Sequence, residues 1–211
     1  IDASIRAAIA GTSNGAAAVV RLNTNGSFDT GFGNGAGPIG ITLLTSLTQG
    51  NALVLQAGNL PIIGGAAGSG TTDMAVARLT AGGVLDNTFN AAGAVPGIAT
   101  VGFLADRNDV VTTLALQTDG KIVAGGGAAS GIGYDFALIR LHTDGTLDTD
   151  TDADPLVTFG LDGQVSTAIG YSSDAINAIA IQGTGEIVAA GGSWLNNRWI
   201  MALARYLPDI P

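Results

Sequence analysis

The sequence predicts an all-β fold in which one four-stranded antiparallel sheet recurs along the chain. Three observations predict it. The string Arg-Leu-x-x-x-Gly-x-(Phe/Leu)-Asp occurs at Arg21–Asp29, Arg78–Asp86 and Arg140–Asp148. A second string, apolar-x-apolar-Gln followed by a turn and Ile-rich residues running into Gly-Gly, occurs at Leu53–Gly65, Leu114–Gly126 and Ile179–Gly192. The composition, with 33 Gly and only 12% charged residues, suits many short strands joined by tight turns. A unit this short cannot cover its own apolar faces, so its copies must stack on one another.

The recurring Arg (Arg21, Arg78, Arg140, Arg205) sets periods of 57, 62 and 65 residues. Gln56, Gln117 and Gln182 precede the following Arg by 22, 23 and 23 residues. Length variation therefore lies between each Arg and the next Gln, as expected of paired strands with adjustable outer loops. In the third unit, strand a runs Val111–Gln117, the turn is Thr118-Asp119-Gly120, and strand b runs Lys121–Gly125. Asp-Gly between apolar runs signals a hairpin because Gly readily takes positive φ. After a Gly-rich loop come strand c at Tyr134–Leu141, the turn Thr143-Asp144-Gly145, and strand d at Gly163–Ala168. The Ala-rich start, Ile5–Leu22, reads as strands rather than helix, with Ile9-Ala10-Gly11 placed on Val123-Ala124-Gly125.

Four short strands in each repeated unit predict an arc of β-propeller blades. The count gives 14 strands, or about three and a half blades, in one repeat array: residues 1–51 (partial), 52–110, 111–176 and 177–211 (partial). The chain is expected to begin inside an a–b hairpin and stop after a c strand, and its first residue, Ile1, suggests a processed or excised segment. An open arc exposes sheet edges. A second copy, another segment of the same precursor or a different subunit is expected to close it, two arcs giving about seven blades.

The third unit, Leu114-Ala-Leu-Gln-Thr-Asp-Gly-Lys-Ile-Val-Ala-Gly125 followed by Tyr134-Asp-Phe-Ala-Leu-Ile-Arg-Leu-His-Thr-Asp-Gly-Thr-Leu-Asp148, resembles the delta-60 repeat, a bacterial β-propeller-like module. The resemblance covers nearly the whole chain. It implies the fold, and it implies little about activity, because these repeats occur in large exported bacterial proteins of mostly unassigned role. Two departures stand out: Ala57-Gly58-Asn59 lacks the Asp-Gly pair, and Asp148 is 11 residues from Phe159 where Asp29 and Asp86 are three from Phe32 and Phe89.

Eight Lys+Arg against 17 Asp+Glu give a net charge of −9, which repels phosphate backbones and argues against nucleic acid. No apolar run reaches the ~20 residues needed for a membrane-spanning helix. Cysteine is absent, which excludes disulfides and thiolate metal sites. Low charge, abundant Gly, Ala and Thr, and no Cys fit an exported bacterial protein, extracellular or at the cell surface, with the periplasm as the other compartment.

Candidate site residues fall into three groups. Arg21, Arg78, Arg140 and Arg205 repeat, and the first three have Asp29, Asp86 and Asp148 eight residues on across a tight turn. They read either as a structural tie or as a ring of binding sites. Asp148, Asp150, Asp152 and Asp154 alternate through the insertion and offer hard oxygens for calcium, the one cofactor the sequence brings forward. Trp194, Asn196, Arg198 and Trp199 cluster in the last b–c loop, where they could contact a protein partner or a glycan, or pack on the strand face. Gly11-Thr-Ser-Asn-Gly15 matches a nucleophile elbow, but it falls in a hairpin and the chain has one histidine, His142. The expected function is a non-catalytic scaffold or binding module within a larger assembly. The alternative is a glycan-directed hydrolase or lyase using carboxylates or Tyr134, Tyr171 and Tyr206 in a propeller channel.

Overall fold

The computed structural model describes residues 7–35, 38–149, 159–160 and 162–207. They form four antiparallel sheets with no helix. Sheet 1 contains β1 (Ala7–Ser13), β2 (Ala16–Leu22) and β3 (Ile41–Leu44). Sheet 2 contains β4 (Gln49–Gln56), β5 (Leu60–Ala67), β6 (Asp73–Arg78) and β7 (Ile98–Val101). Sheet 3 contains β8 (Asp109–Leu116), β9 (Ile122–Ala129), β10 (Tyr134–Leu141) and β11 (Gln164–Thr167). Sheet 4 contains β12 (Asp174–Ile181), β13 (Ile187–Leu195) and β14 (Arg198–Tyr206). In each sheet, strands that are neighbours in sequence are neighbours in space, as in propeller blades. The a strands β4, β8 and β12 pack against one another in succession.

Strand b is longer than the sequence reading gave it. It continues through Gly125-Gly126-Gly127 to Ala129, and the glycine-rich stretch is strand rather than loop. A bulge in the a strand explains this. Pairing skips one residue between Gly50 and Ala52, Val111 and Thr113, and Ile176 and Ala178, the same position in three sheets. The bulge drives a backbone carbonyl onto the facing b strand. A Cβ at Gly65, Gly126 or Gly191 would lie 1.9 Å from the oxygen of Gln49, Val110 or Ala175. The preceding glycine serves the next sheet, since a Cβ at Gly64 would meet Val111 at 2.6 Å and one at Gly125 would meet Ile179 at 3.1 Å. Gly64-Gly65 and Gly125-Gly126 thus each record one close approach within their sheet and one to the neighbouring sheet, whereas sheet 4 has Ala190 ahead of Gly191.

The bulged residue also ties adjacent a strands. Asn51 Nδ2 donates to the Val111 carbonyl at 2.9 Å, and Thr112 Oγ1 donates to the Ile176 carbonyl. Between sheets lie three apolar seams. Ala17, Val19 and Leu47 meet Ile63, Ala75 and Ala77; Met74 and Val76 meet Val111, Ala124 and Ile139; Phe136 and Leu138 meet Ile176, Ile187 and Ala189. Full burial of one such aliphatic side chain contributes about 2 kcal/mol, so the seams hold the sheets together.

The a–b hairpin of sheet 3 turns at Thr118-Asp119-Gly120 as the sequence predicts, a three-residue loop in which Gly120 takes positive φ, a type I turn closed by a left-handed Gly. In sheet 2 the corresponding turn places both Gly58 and Asn59 at positive φ, Asn tolerating what Asp-Gly supplies elsewhere. In sheet 1, Ala8 rather than Ile9 faces the recurring Arg, so Ile9 corresponds to Ala124 and the alignment from sequence is one residue out. The described residues hold 14 strands, as the sequence count predicts, in four sheets of which the first and last are three-stranded.

The bulge account makes a sharp contrast testable. Gly126→Ala is expected to destabilise by about 3 kcal/mol through overpacking against Val110. Gly131→Ala, where an added Cβ meets nothing within 4 Å, should stay within about 0.5 kcal/mol. Urea unfolding of the two variants decides; equal effects would remove the bulge explanation.

Candidate functional site: a repeated arginine latch and a terminal tryptophan pair

Every c strand except the last ends in an arginine that folds back onto its own turn. After β2, β6 and β10, an isolated bridge pairs Leu22 with Phe28, Leu79 with Leu85, and Leu141 with Leu147. The backbone N–H of Asp29, Asp86 or Asp148 then donates to the carbonyl of Arg21, Arg78 or Arg140 at 2.9 Å. That pairing sets each carboxylate beside its guanidinium. Arg21 Nε donates to Asp29 at 2.7 Å, Arg78 Nε to Asp86 at 2.8 Å, and Arg140 Nε to Asp148 at 2.5 Å. The guanidinium carbons lie 4.4, 4.9 and 4.9 Å from the ring centres of Phe32, Phe89 and Phe159.

Arg21 and Arg78 also reach into the following sheet. Arg21 Nη1 donates to the Ala81 carbonyl and Arg78 Nη1 to the Thr143 carbonyl at 2.8 Å, while within its own sheet Arg78 Nη1 donates to Gln56 Oε1 at 3.2 Å. Beside these bonds, the backbone N–H of Gly33 donates to the Gly82 carbonyl at 3.0 Å and that of Asn90 to Asp144 at 2.6 Å. Phe32 and Phe89 lie directly against Gly83 and Gly145 of the following turns, where a Cβ would come within 2.8 and 2.6 Å of the rings. Arginine, aspartate and phenylalanine therefore form one latch that fixes the turn of one sheet and grips the turn of the next. The signal for the phenylalanine was present in its spacing from the Asp, but its stacking on the Arg was not read from sequence.

Arg205 departs from this arrangement. Its side chain is 58% exposed and comes no closer than 3.8 Å to Glu186. Asp148 carries more than the other latch carboxylates, with Lys121 Nζ and His142 Nε2 each at 3.1 Å in addition to Arg140. Burial opposes ionisation of Asp148, but Arg140 and then Lys121 outweigh it and hold the carboxyl below its ordinary value. Burial likewise opposes ionisation of Asp86, and the Thr88 hydroxyl and N–H, with Arg78, outweigh it. Of the acidic series proposed for calcium, Asp150, Asp152 and Asp154 lie outside the described residues, and Asp148 faces the cationic Arg140 and Lys121 with the His142 imidazole beside them.

The tryptophans lie on strands, not in a loop. Trp194 of β13 faces Trp199 of β14 across the hairpin, with ring centres 5.5 Å apart and planes at 68°. Only Asn196 and Asn197 form the turn, both at positive φ, the geometry of a tight two-residue hairpin. Trp199 covers Gly192 as Tyr134 covers Gly127, with added Cβ positions 3.0 and 3.3 Å from the rings. Arg198, Asn196 and Trp199 are exposed and Trp194 is half-buried.

The elbow-like serine, Ser13, ends β1 ahead of an Asn14-Gly15 hairpin turn, while the histidine is engaged with Asp148. Tyr134 and Tyr206 lie on c strands and Tyr171 on the loop before β12, so none stands on an a strand. An open depression of about 720 Å³ lies between sheets 2 and 3, lined by Gln56, Arg78, Thr88, Gln117, Asp119 and Thr143. Among the described residues no group of three His, Cys, Asp or Glu side chains could hold a metal ion.

Two outcomes are expected of the latch. Arg78→Met leaves Asp86 and the Thr143 carbonyl without their buried partner and should lower the unfolding free energy by about 3 kcal/mol in urea titration. A carboxyl whose folded pKa is depressed contributes stability above its unfolded value, about 3.9, and loses that contribution as pH falls through the folded value. Unfolding followed by tryptophan fluorescence should therefore show the stability gap between the wild type and Asp148→Asn narrowing below about pH 4.

Three segments, residues 8–32, 58–89 and 117–150, match the family described as "Domain of unknown function (DUF5122) beta-propeller". No curated protein matches the chain. Two of the matched segments take in a b strand, a c strand and the whole Arg–Asp–Phe latch, and the third takes in the b and c strands and the Arg–Asp pair of sheet 3. The matched segments are copies of this β-propeller repeat, the delta-60 type of repeat that the motifs of the chain resemble.

Proposed function

We propose that this chain is a non-catalytic, exported scaffold or binding module that works within a larger assembly. The observation that carries this reading is where the ionisable groups are. The a strands, which pack against one another, carry only Asp109 and Asp174 as charged residues, and both are buried. Asp109 accepts backbone N–H bonds from Phe103 at 2.8 Å and Ala129 at 2.9 Å. Asp174 accepts them from Ile169 at 2.7 Å and Gly170 at 2.9 Å. These carboxylates hold loops in place. Arg21, Arg78 and Arg140 and their aspartates are likewise engaged in the latch. What remains on the a strands is Gly, Ala, Val, Leu, Ile, Thr, Gln and Asn, a surface without an acid–base pair.

Surface residues offer contact rather than chemistry. Trp194 and Trp199, with Asn196 and Arg198 beside them, give an amphipathic edge suited to a protein partner or a sugar ring. No helix among the described residues is long and apolar enough to cross a membrane. The rival, a glycan hydrolase or lyase, gains nothing from tyrosines that stand on separate outer elements.

The test is direct. Incubation with a panel of neutral and acidic polysaccharides should release no new reducing ends and no unsaturated products. Turnover above the blank that disappears in Asp109→Asn or Asp174→Asn, with folding intact, would overturn the non-catalytic reading.

A further inference from the structure

The two faces of each sheet are not equivalent, and three internal seams show how they mate. One face of each sheet turns toward the following sheet. Its central cross-strand pairs are Ala10–Val19 in sheet 1, Gly64–Val76 in sheet 2 and Gly125–Leu138 in sheet 3, and Val19, Val76 and Leu138 are fully buried. The register of β13 with β14 puts Ala190–Leu203 at the same place in sheet 4, flanked by Gly192–Met201 and Trp194–Trp199. There Leu203 is 60%, Met201 80% and Trp199 58% exposed.

The opposite face, turned toward the preceding sheet, has the pairs Ile63–Ala77, Ala124–Ile139 and Ala189–Ala204 in sheets 2, 3 and 4. All are buried or packed into a seam. In sheet 1 the same place is held by Ile9–Val20, and Ile9 is 55% exposed.

We propose that the outward face of sheet 4 binds the outward face of sheet 1 of a second copy, repeating between molecules the seam that joins sheets within one. Both surfaces are already shaped for it, since each keeps the pairing and apolar character of a face that buries completely elsewhere in the same chain. The polar rim fits as well. Arg21 and Arg78 each donate to the carbonyl three residues beyond the arginine of the following sheet, at Ala81 and Thr143. Arg205, exposed and 3.8 Å from Glu186, would donate to the corresponding carbonyl, that of Thr24 in the second copy. Asn177, the exposed counterpart of Asn51 and Thr112, adds an amide at the inner margin of the same face. Used in both directions, the contact joins two copies into a ring of eight sheets, within the range that propellers adopt. This deepens the scaffold reading by naming the chain's own second copy as the partner.

Light scattering on size-exclusion fractions of the 211-residue chain tests it. The expected mass is twice the 20.8 kDa of the chain. Met201→Asp and Val20→Asp, each on a different face, should give folded monomers by circular dichroism. Mixing the two should restore a dimer, because one seam then pairs two unaltered faces. A monomer at all concentrations, a dimer indifferent to both substitutions, or a failure of the mixed variants to pair would overturn the proposal. A monomer leaves the non-catalytic reading intact, and polysaccharide turnover would overturn that reading without touching this contact.

Discussion

A small twisted sheet with two apolar faces can cover neither by itself, and everything else in this molecule follows from that constraint. Sheets 2 and 3 each bury one face on the preceding sheet and one on the following sheet, so burial accumulates by stacking rather than around a single centre. This accounts for the buried run from Phe136 to Leu141 in the c strand of sheet 3, where Phe136 and Leu138 serve one seam while Ala137, Ile139 and Leu141 serve the other. It also explains why a chain with so few charges can remain ordered: alternate residues of a strand point to opposite faces, and here both faces are interior.

Apolar seams set no register by themselves, because a sheet could slide along its neighbour with little loss of burial. Polar contacts supply the register at both ends of the seam. At one end the latch arginine bonds a particular carbonyl of the next turn, and its aspartate and phenylalanine keep the guanidinium from swinging away. At the inner margin the bulged residue bonds the next a strand. These contacts are directional and buried, so a shifted arrangement would leave charges and carbonyls unpaired. The apolar seams supply most of the stability, and the polar contacts select one arrangement among many apolar ones.

This division decides what could be read from the sequence. The repeat, the all-β class, the four-strand unit and the strand order were legible because periodic Arg, Gln and Gly mark positions where backbone geometry admits few alternatives. The Gly-Gly of strand b was visible but misplaced, because glycine in a loop and glycine under a bulge look alike until the facing carbonyl of Val110 is located. The one-residue slip at Ile9 has a similar origin: Ala8, Ile9 and Ala10 carry no turn residue to pin the alignment, and only cross-strand pairing to Arg21 does so. Placing Trp194 and Trp199 in a loop followed from counting the tight Asn196-Asn197 turn as longer than it is. Phe32, Phe89 and Phe159 were noticed only as spacing markers, since a cation–ring contact is made by folding and leaves no local pattern.

Repetition also bears on where function resides. A residue that recurs in every sheet is first explained by what every sheet must do, and the latch meets that demand fully for Arg21 and Arg78, each joined to its own turn and to the next. Individuality is confined to positions where a unit departs from the others. Sheet 4 collects several departures at once: an arginine exposed where its counterparts are buried, tryptophans in place of smaller residues, and a methionine and a leucine exposed where their counterparts are buried. Water in contact with such a face is as unfavourable as in the unassembled unit, and the remedy used three times inside the chain is another sheet of the same kind. The surface most able to define this protein's role is therefore a structural face left uncovered, its specificity inherited from the same register contacts that align the internal seams.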